Sequence, residues 1–213
     1  MNIVLFGASG TIGQRILQEA LSRGHNVTAI VRDPSRLQVT NPDVTVTQGD
    51  ALDTASIAQT VAGHDAVISA IGPAHDGSSQ ADFLVKAAHS LIDGLNRTSV
   101  RRLLIVGGAG SLEVAPGLRL LDTPDFPPAW RGSAKAHADA LEIYKTAPLD
   151  WTYLSPAAFI QPGERKGTYR TGTDQLVTDA DGKSSISAED YAVALINELE
   201  NPKFTRRRFT VAY

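Results

Sequence analysis

The sequence predicts an α/β fold built on a doubly wound, mostly parallel sheet. Three observations carry that prediction. Apolar, strand-like runs alternate with helical patterns along the whole chain. The first run and the first helix are joined by a turn with three regularly spaced glycines, GASGTIG. The chain has 213 residues, 42% of them hydrophobic and 20% charged, which is enough for one such domain with a sizeable core. Repeats, low-complexity tracts and linkers are absent. The expected organisation is therefore a single domain. Residues 1–150 form its nucleotide-binding core, and 151–213 mainly cover the substrate side and add the last strand.

Composition excludes several classes. The formal net charge of −3 provides no global basic field, so no nucleic-acid partner is expected. Cysteine is absent, which removes disulfides, thiol nucleophiles and cysteine metal sites; no metal site is expected. No apolar run is long enough to span a bilayer, so no membrane partner is expected either. The chain enters a core strand at once, which leaves no room for a signal peptide and makes cytoplasm the expected compartment.

Asn2 to Phe6 is a short β-branched apolar run, the mark of a buried strand. A helical stripe of Ile12, Ile16, Leu17, Ala20 and Leu21 follows the glycines. Gly7 suits a tight turn, Gly10 lets the backbone approach a pyrophosphate, and Gly13 lets the helix pack close to the strand. Ala8, Ser9, Thr11 and Ile12 complete the loop, and the first N–H groups of the helix would hold phosphate. The plainer alternative is a glycine-rich turn with no ligand.

Val27 to Val31 reads as the second strand. Arg32 stands at its end, where an Arg favours the 2′-phosphate of NADP and an acidic residue favours the ribose of NAD. Asp33 has a separate task, capping the short helix that Pro34 begins, while Arg36 is either a phosphate contact or a solvated charge. NADP(H) is therefore favoured, with NAD(H) open. After a third strand, Val44 to Thr47, come Gly49, Asp50, Ala51 and Leu52, a turn placed near the adenine. Asp50 bonds either the adenine amino group or the local backbone. Thr54 is the expected cap of a helix through Val61, and His64 reads as surface. The fourth strand, Ala66 to Ala70, runs into Ile71 and Gly72, where Ala70 and Gly72 leave room for a ribose. His75 in the following loop faces either substrate or solvent.

A helix over Asp82 to Asn96 buries Leu84, Ala87, Leu91 and Leu95. The fifth strand, Arg102 to Val106, leads into Gly107 to Leu112, in which Ser111 is the one hydroxyl and so the first choice for a substrate contact; a flexible loop is the equal alternative. Pro116 to Pro128 reads as an irregular excursion suited to a lid, ended by Trp130, which could stack on a planar substrate. The next helix spans Ser133 to Lys145 on an apolar face of Ala134, Ala138, Leu141 and Tyr144. No tyrosine in the chain has a lysine four residues on, so the Tyr-x-x-x-Lys pair that supplies a proton in short-chain dehydrogenases is missing. Lys135 is the candidate for the lysine position, although Arg131 stands where the tyrosine would be; His137 could substitute as donor, and otherwise is a surface residue.

A strand from Leu149 ends in the Pro156 turn, beside the expected nicotinamide, with Phe159 as a further substrate candidate. Short strand pieces continue to Thr178, Asp181-Gly182 reads as a hairpin turn, and Ser187 caps a helix through Glu200. Arg206 to Arg208 read as a solvated strand end before a last strand, Phe209 to Ala212.

The set GASGTIG, IVRDPSRL, QGDALD, SAIGP, VGGAGSL, LDWTYLSPAAFIQPGER and ISAEDYAVALINELENP resembles the NADH-flavin reductase group of atypical short-chain dehydrogenase/reductases, similar to biliverdin-IXβ/flavin reductase and to NmrA-like proteins. The resemblance covers nearly the whole chain. It implies a Rossmann domain with a shallow site over the nicotinamide and hydride transfer to a small planar acceptor such as a flavin or quinone. Members of this group also lack the tyrosine, which implies that stacking geometry suffices. The alternative it implies is a non-catalytic NAD(P)-sensing regulator of NmrA-like type. A nucleotide-sugar epimerase ranks last, because that chemistry needs the tyrosine. Nothing in the sequence decides the oligomeric state.

Overall fold

A computed structural model describes residues 1–72 and 80–213. Its centre is an eight-stranded sheet in the order β10-β12-β8-β5-β4-β1-β2-β3. The strands are β1 (Asn2–Phe6), β2 (Asn26–Val31), β3 (Val44–Gln48), β4 (Ala66–Ser69), β5 (Arg102–Val106), β8 (Asp150–Ser155), β10 (Arg170–Gly172) and β12 (Arg207–Ala212). All neighbours are parallel except β10, which runs antiparallel to β12 at the edge. Helices α1 (Thr11–Ser22) and α5 (Ala188–Glu200) cover one face. Helices α2 (Thr54–Val61), α3 (Gln80–Asn96) and α4 (Pro128–Lys145) cover the other.

The near-continuous apolar strands follow from this layering, because both faces of a parallel sheet are buried. Along β1, Ile3 and Leu5 enter the core under α1 and α5, whereas Val4 and Phe6 enter the opposite core. β1 pairs with β2 on one side and β4 on the other, so the strand order reverses there and a crevice opens at the carboxyl ends.

Several local readings are corrected. The cap of α2 is Asp53, whose carboxylate accepts from the Ala55 and Ser56 N–H groups at 3.0 and 3.1 Å; Thr54 is already helical. The segment before α4 is more regular than expected: β6 (Glu113–Ala115) and β7 (Leu118–Arg119) form a small hairpin turning at Gly117. A 3₁₀ turn, Leu120–Asp122, follows it. Helix α4 starts at Pro128, five residues before the expected start at Ser133, because Pro is favourable in the first helical turn. The Asp181-Gly182 turn forms, yet β11 (Ser185–Ser187) pairs parallel with β9 (Phe159–Gln161), so it joins no hairpin. The C-terminal third is mainly core, since it supplies β8, β12 and the buried α5, and its cover is the short β9–β11 pair. His64 is half-buried, its Nε2 3.0 Å from the Thr28 hydroxyl, and the Arg208 side chain is only 9% exposed. The Ser187 cap holds, with its hydroxyl accepting from the Asp190 N–H at 3.0 Å.

Two contacts fix α1. An ideal Cβ on Gly13 would lie 2.0 Å from the Gly7 carbonyl oxygen, so only glycine permits this approach of helix to strand. On the other side, the buried Glu19 carboxylate accepts from Arg165 at 2.8 and 2.9 Å and from Arg23 at 2.8 Å, tying the helix to the 163–167 segment. The Arg165 bonds, helped by Arg23, hold the Glu19 carboxyl below the usual carboxylate range.

Helix propensity alone would favour Gly13→Ala by about 1 kcal/mol. We expect instead a net loss of about 1–3 kcal/mol in urea unfolding, because the added carbon has no room. Glu19→Gln should cost about 1–3 kcal/mol at pH 7. Since the folded carboxyl titrates below the unfolded one, this contribution is present above about pH 4.3 and fades as pH falls. The stability gap between Glu19→Gln and the wild type should therefore close on acidification.

Candidate functional site

A cleft of about 450 Å³ lies at the carboxyl ends of β1, β2 and β4. Gly7, Ser9 and Gly10 form one wall, Arg32 and Arg36 the end by β2, and Asp50 and Ala51 the flank by β3. Ala70, Ile71 and Gly72 close it from β4. Gly7 has φ +79°, and a Cβ there would meet the Ala70 carbonyl oxygen at 2.4 Å. Gly10 is different. Its φ of −79° suits any residue and its nearest obstacle is 3.4 Å away, so its missing side chain keeps the cleft wall open. The first N–H groups of α1, at Thr11, Ile12 and Gly13, have no intrahelical acceptor and are donors for an anion at the helix start.

The other sequence candidates fall as follows. Ala8 is fully buried, so only its backbone is available to a ligand, and Ile12 packs partly into the core. Asp50 accepts from the Leu52 N–H at 2.9 Å, the turn role, while Leu52 itself is 39% exposed and outside the cleft wall. Pro156 is buried outside that wall, with its carbonyl accepting from the Thr210 hydroxyl. His75 lies outside the described residues.

At the β2 end the charges are sorted. The Asp33 carboxylate accepts from the Ser35 N–H and hydroxyl at 3.0 and 2.7 Å, capping the 3₁₀ turn Pro34–Arg36. These bonds, the hydroxyl first, hold it below the usual carboxylate range. Arg32 and Arg36 both line the cleft and offer it two guanidinium groups.

Two catalytic candidates are displaced. The Ser111 hydroxyl is bonded to the Arg208 guanidinium at 2.8 Å and lines a separate cavity of about 700 Å³ beside α4, with Arg119 and Asp174. Arg208, buried where a solvated residue was expected, captures it. Lys135 sits on the outer face of α4, 66% exposed, in an ion pair with Asp139 at 2.5 Å. The early start of α4 also lifts Trp130 out of the loop and into the helix. It meets Phe159 edge to face, ring centroids 6.3 Å apart at 75°, with the two rings 51% and 60% exposed.

The tyrosines do not replace the missing acid. Tyr153 and Tyr191 donate to the carbonyls of His137 and Leu154, and burial pushes both hydroxyls, and that of Tyr144, above the ordinary tyrosine range. Sequence reasoning underrated His137. It lies on the inward face of α4 with Ala136, Ala140 and Tyr144, and its spacing of four residues before Leu141 and seven before Tyr144 is the signal that would have shown it.

The fold and this cleft define a dinucleotide-binding Rossmann protein. The family model described as NAD(P)H-binding matches residues 7–202, and the chain belongs to that family. Uncharacterized protein YwnB of Bacillus subtilis is 43% identical over 99% of this chain and 98% of its own length. A Burkholderia pseudomallei structure named as a "putative exported protein" is 47% identical, with a TM-score of 0.90 and full coverage of both chains. A "putative NADH-flavin reductase" from Streptococcus pneumoniae is 36% identical, with a TM-score of 0.87 over 100% of this chain and 99% of that one. Among the described residues, no helix is long and apolar enough to cross a membrane.

Gly10→Val should leave the unfolding transition near that of the wild type yet abolish binding of both NADPH and NADH, measured by quenching or enhancement of nicotinamide fluorescence. Retained affinity would show that the loop does not carry the cofactor.

Proposed function

We propose that this chain is an NAD(P)H-dependent reductase that passes hydride to a planar acceptor such as a flavin or quinone, with NADPH the preferred donor. The observation that carries the reading is the exposed Trp130–Phe159 pair on the same sheet edge as the cleft. Two large rings left in water, one the neighbour of the other, offer an apolar seat for a flat molecule. The residues present fit the cofactor: Gly7, Ser9, Gly10 and the α1 N-terminus would hold the pyrophosphate, and Ala70 and Gly72 leave space for a ribose. When bound, the nicotinamide supplies a hydride. Holding the acceptor parallel to it is then the main task of the protein, and water can supply the proton. A cytoplasmic location is part of this proposal, and the supply of reduced nicotinamide there supports it.

NADPH preference rests on Arg32 and Arg36 lining the cleft while Asp33 is engaged with Ser35. Arg32→Ala should weaken NADPH binding roughly ten-fold and NADH binding by less than about two-fold. Equal losses in parallel titrations would sink the preference.

The direct test is steady-state oxidation of NADPH, and of NADH, with FMN, FAD, quinones and biliverdin. Turnover well above the protein-free background supports the reductase. A non-catalytic NAD(P)-sensing protein is the alternative, favoured by the missing Tyr-x-x-x-Lys; tight cofactor binding without turnover of any acceptor would establish it.

A further inference from the structure

Helix α4 carries one imidazole among the small residues of its inward face. His137 follows the fully buried Ala136 and precedes Ala140, Leu141 and Tyr144, all buried, by one and two turns. Its side chain lies against the backbone just beyond β5. A Cβ on Gly108 would come within 2.8 Å of the His137 Cβ and within 3.0 and 3.2 Å of Cγ and Cδ2. The preceding glycine serves Tyr153 in the same way, since a Cβ on Gly107 would meet ring carbon Cε1 at 2.1 Å. The Tyr153 hydroxyl donates to the His137 carbonyl at 2.9 Å, which locks the two elements together. The double glycine therefore has a steric purpose: it admits two rings at the carboxyl edge of β5.

The position matters because of what adjoins it. His137, Ser69, Val106 and Tyr153 bound a narrow recess together with Ile71, and Ile71 also lines the dinucleotide cleft. Ligands of open α/β sheets sit at this carboxyl edge. Ser133 stands one turn earlier on the same side of α4, so the helix presents a hydroxyl and an imidazole in succession.

Among the described residues, no charged side chain other than the imidazole itself lines this recess. Leu84 and Ala87 of α3, Ser69 and Ile71 at the β4 end, Ile105 and Val106 of β5, and Tyr153 of β8 line the recess with it. Burial keeps Tyr153 and Tyr144 protonated. Burial pushes the His137 imidazole down to about 4. At neutral pH it is a neutral ring with one N–H donor.

Resting on the reductase reading, we propose that His137 is a catalytic residue that hydrogen-bonds the acceptor. Its neutral N–H donates to the acceptor oxygen or ring nitrogen on which negative charge gathers as hydride arrives. The acceptor gains the hydride with its two electrons, water then supplies one proton to the resulting anion, and the nicotinamide is left oxidised. His137 stabilises charge and transfers no proton, which separates this role from that of the absent tyrosine.

The test compares His137→Phe and His137→Gln with the wild type, using a water-soluble quinone as acceptor. His137→Phe should lower kcat at least ten-fold while leaving the NADPH Kd within about two-fold. His137→Gln, which restores an N–H donor, should recover part of the loss. The wild-type kcat should stay level between about pH 5.5 and 8, because the donor does not titrate there. Independently of turnover, the His137 ring signal in NMR should titrate near 4 and shift when an unreduced quinone is added to the NADP⁺-bound protein. Full activity in His137→Phe overturns the proposal, as does an unshifted ring signal. A kinetic limb near pH 6–7 that disappears in His137→Gln also overturns it, by making the residue a proton donor. Wild-type turnover is read separately: its absence defeats the reductase reading, whereas turnover that survives in His137→Phe defeats only the role of His137.

Discussion

The approach of α1 to the Gly7 carbonyl is the constraint on which the site depends. No side chain fits between helix and strand at Gly13, and none fits between Gly7 and the end of β4. These two glycines let three backbones meet at one point, so the free N–H groups of α1 open directly onto the cleft. The helix is held there from its far side as well. Arg15 pairs with Glu189 of α5 at 3.0 Å, and Glu19 binds Arg165. Because α5 belongs to the last third of the chain, the cofactor loop at the N-terminal end is braced by residues nearly the whole sequence away.

On the opposite face, α4 packs beside the carboxyl end of β5. Its alanines let it lie close on β5, and the glycines after β5 receive His137 and Tyr153. Its extra N-terminal turn carries Trp130 to Phe159. The same packing withdraws Ser111, whose hydroxyl is bound by Arg208 of β12. Loss of the standard tyrosine is thus accompanied by a rearranged wall that offers aromatic surface and one imidazole.

Much of this was legible along the chain. The glycine loop, the Asp33 and Ser187 caps, and the apolar runs that become strands are local, because each depends on residues within one turn or one strand of one another. The Asp50 turn could be read as well, its carboxylate bonding the backbone two residues on. The failures share a cause. Ser111, Lys135 and Arg208 were judged by residue type and distance along the chain, but their roles depend on partners 97, 4 and 34 residues away, on an outward or inward helix face, and on a cavity wall. The start of α4 was misplaced by five residues, because the Pro that opens it was counted with the loop.

The sequence by itself determined the α/β layering and the glycine turn between β1 and α1, because period, glycine spacing and capping act over a few residues. The tertiary structure decided where Ser111, Lys135, Trp130 and His137 lie relative to the cleft. That choice turns on helix phase and on long-range ion pairs such as Arg208 with Asp174, and these exist only once the sheet brings distant strands to one edge.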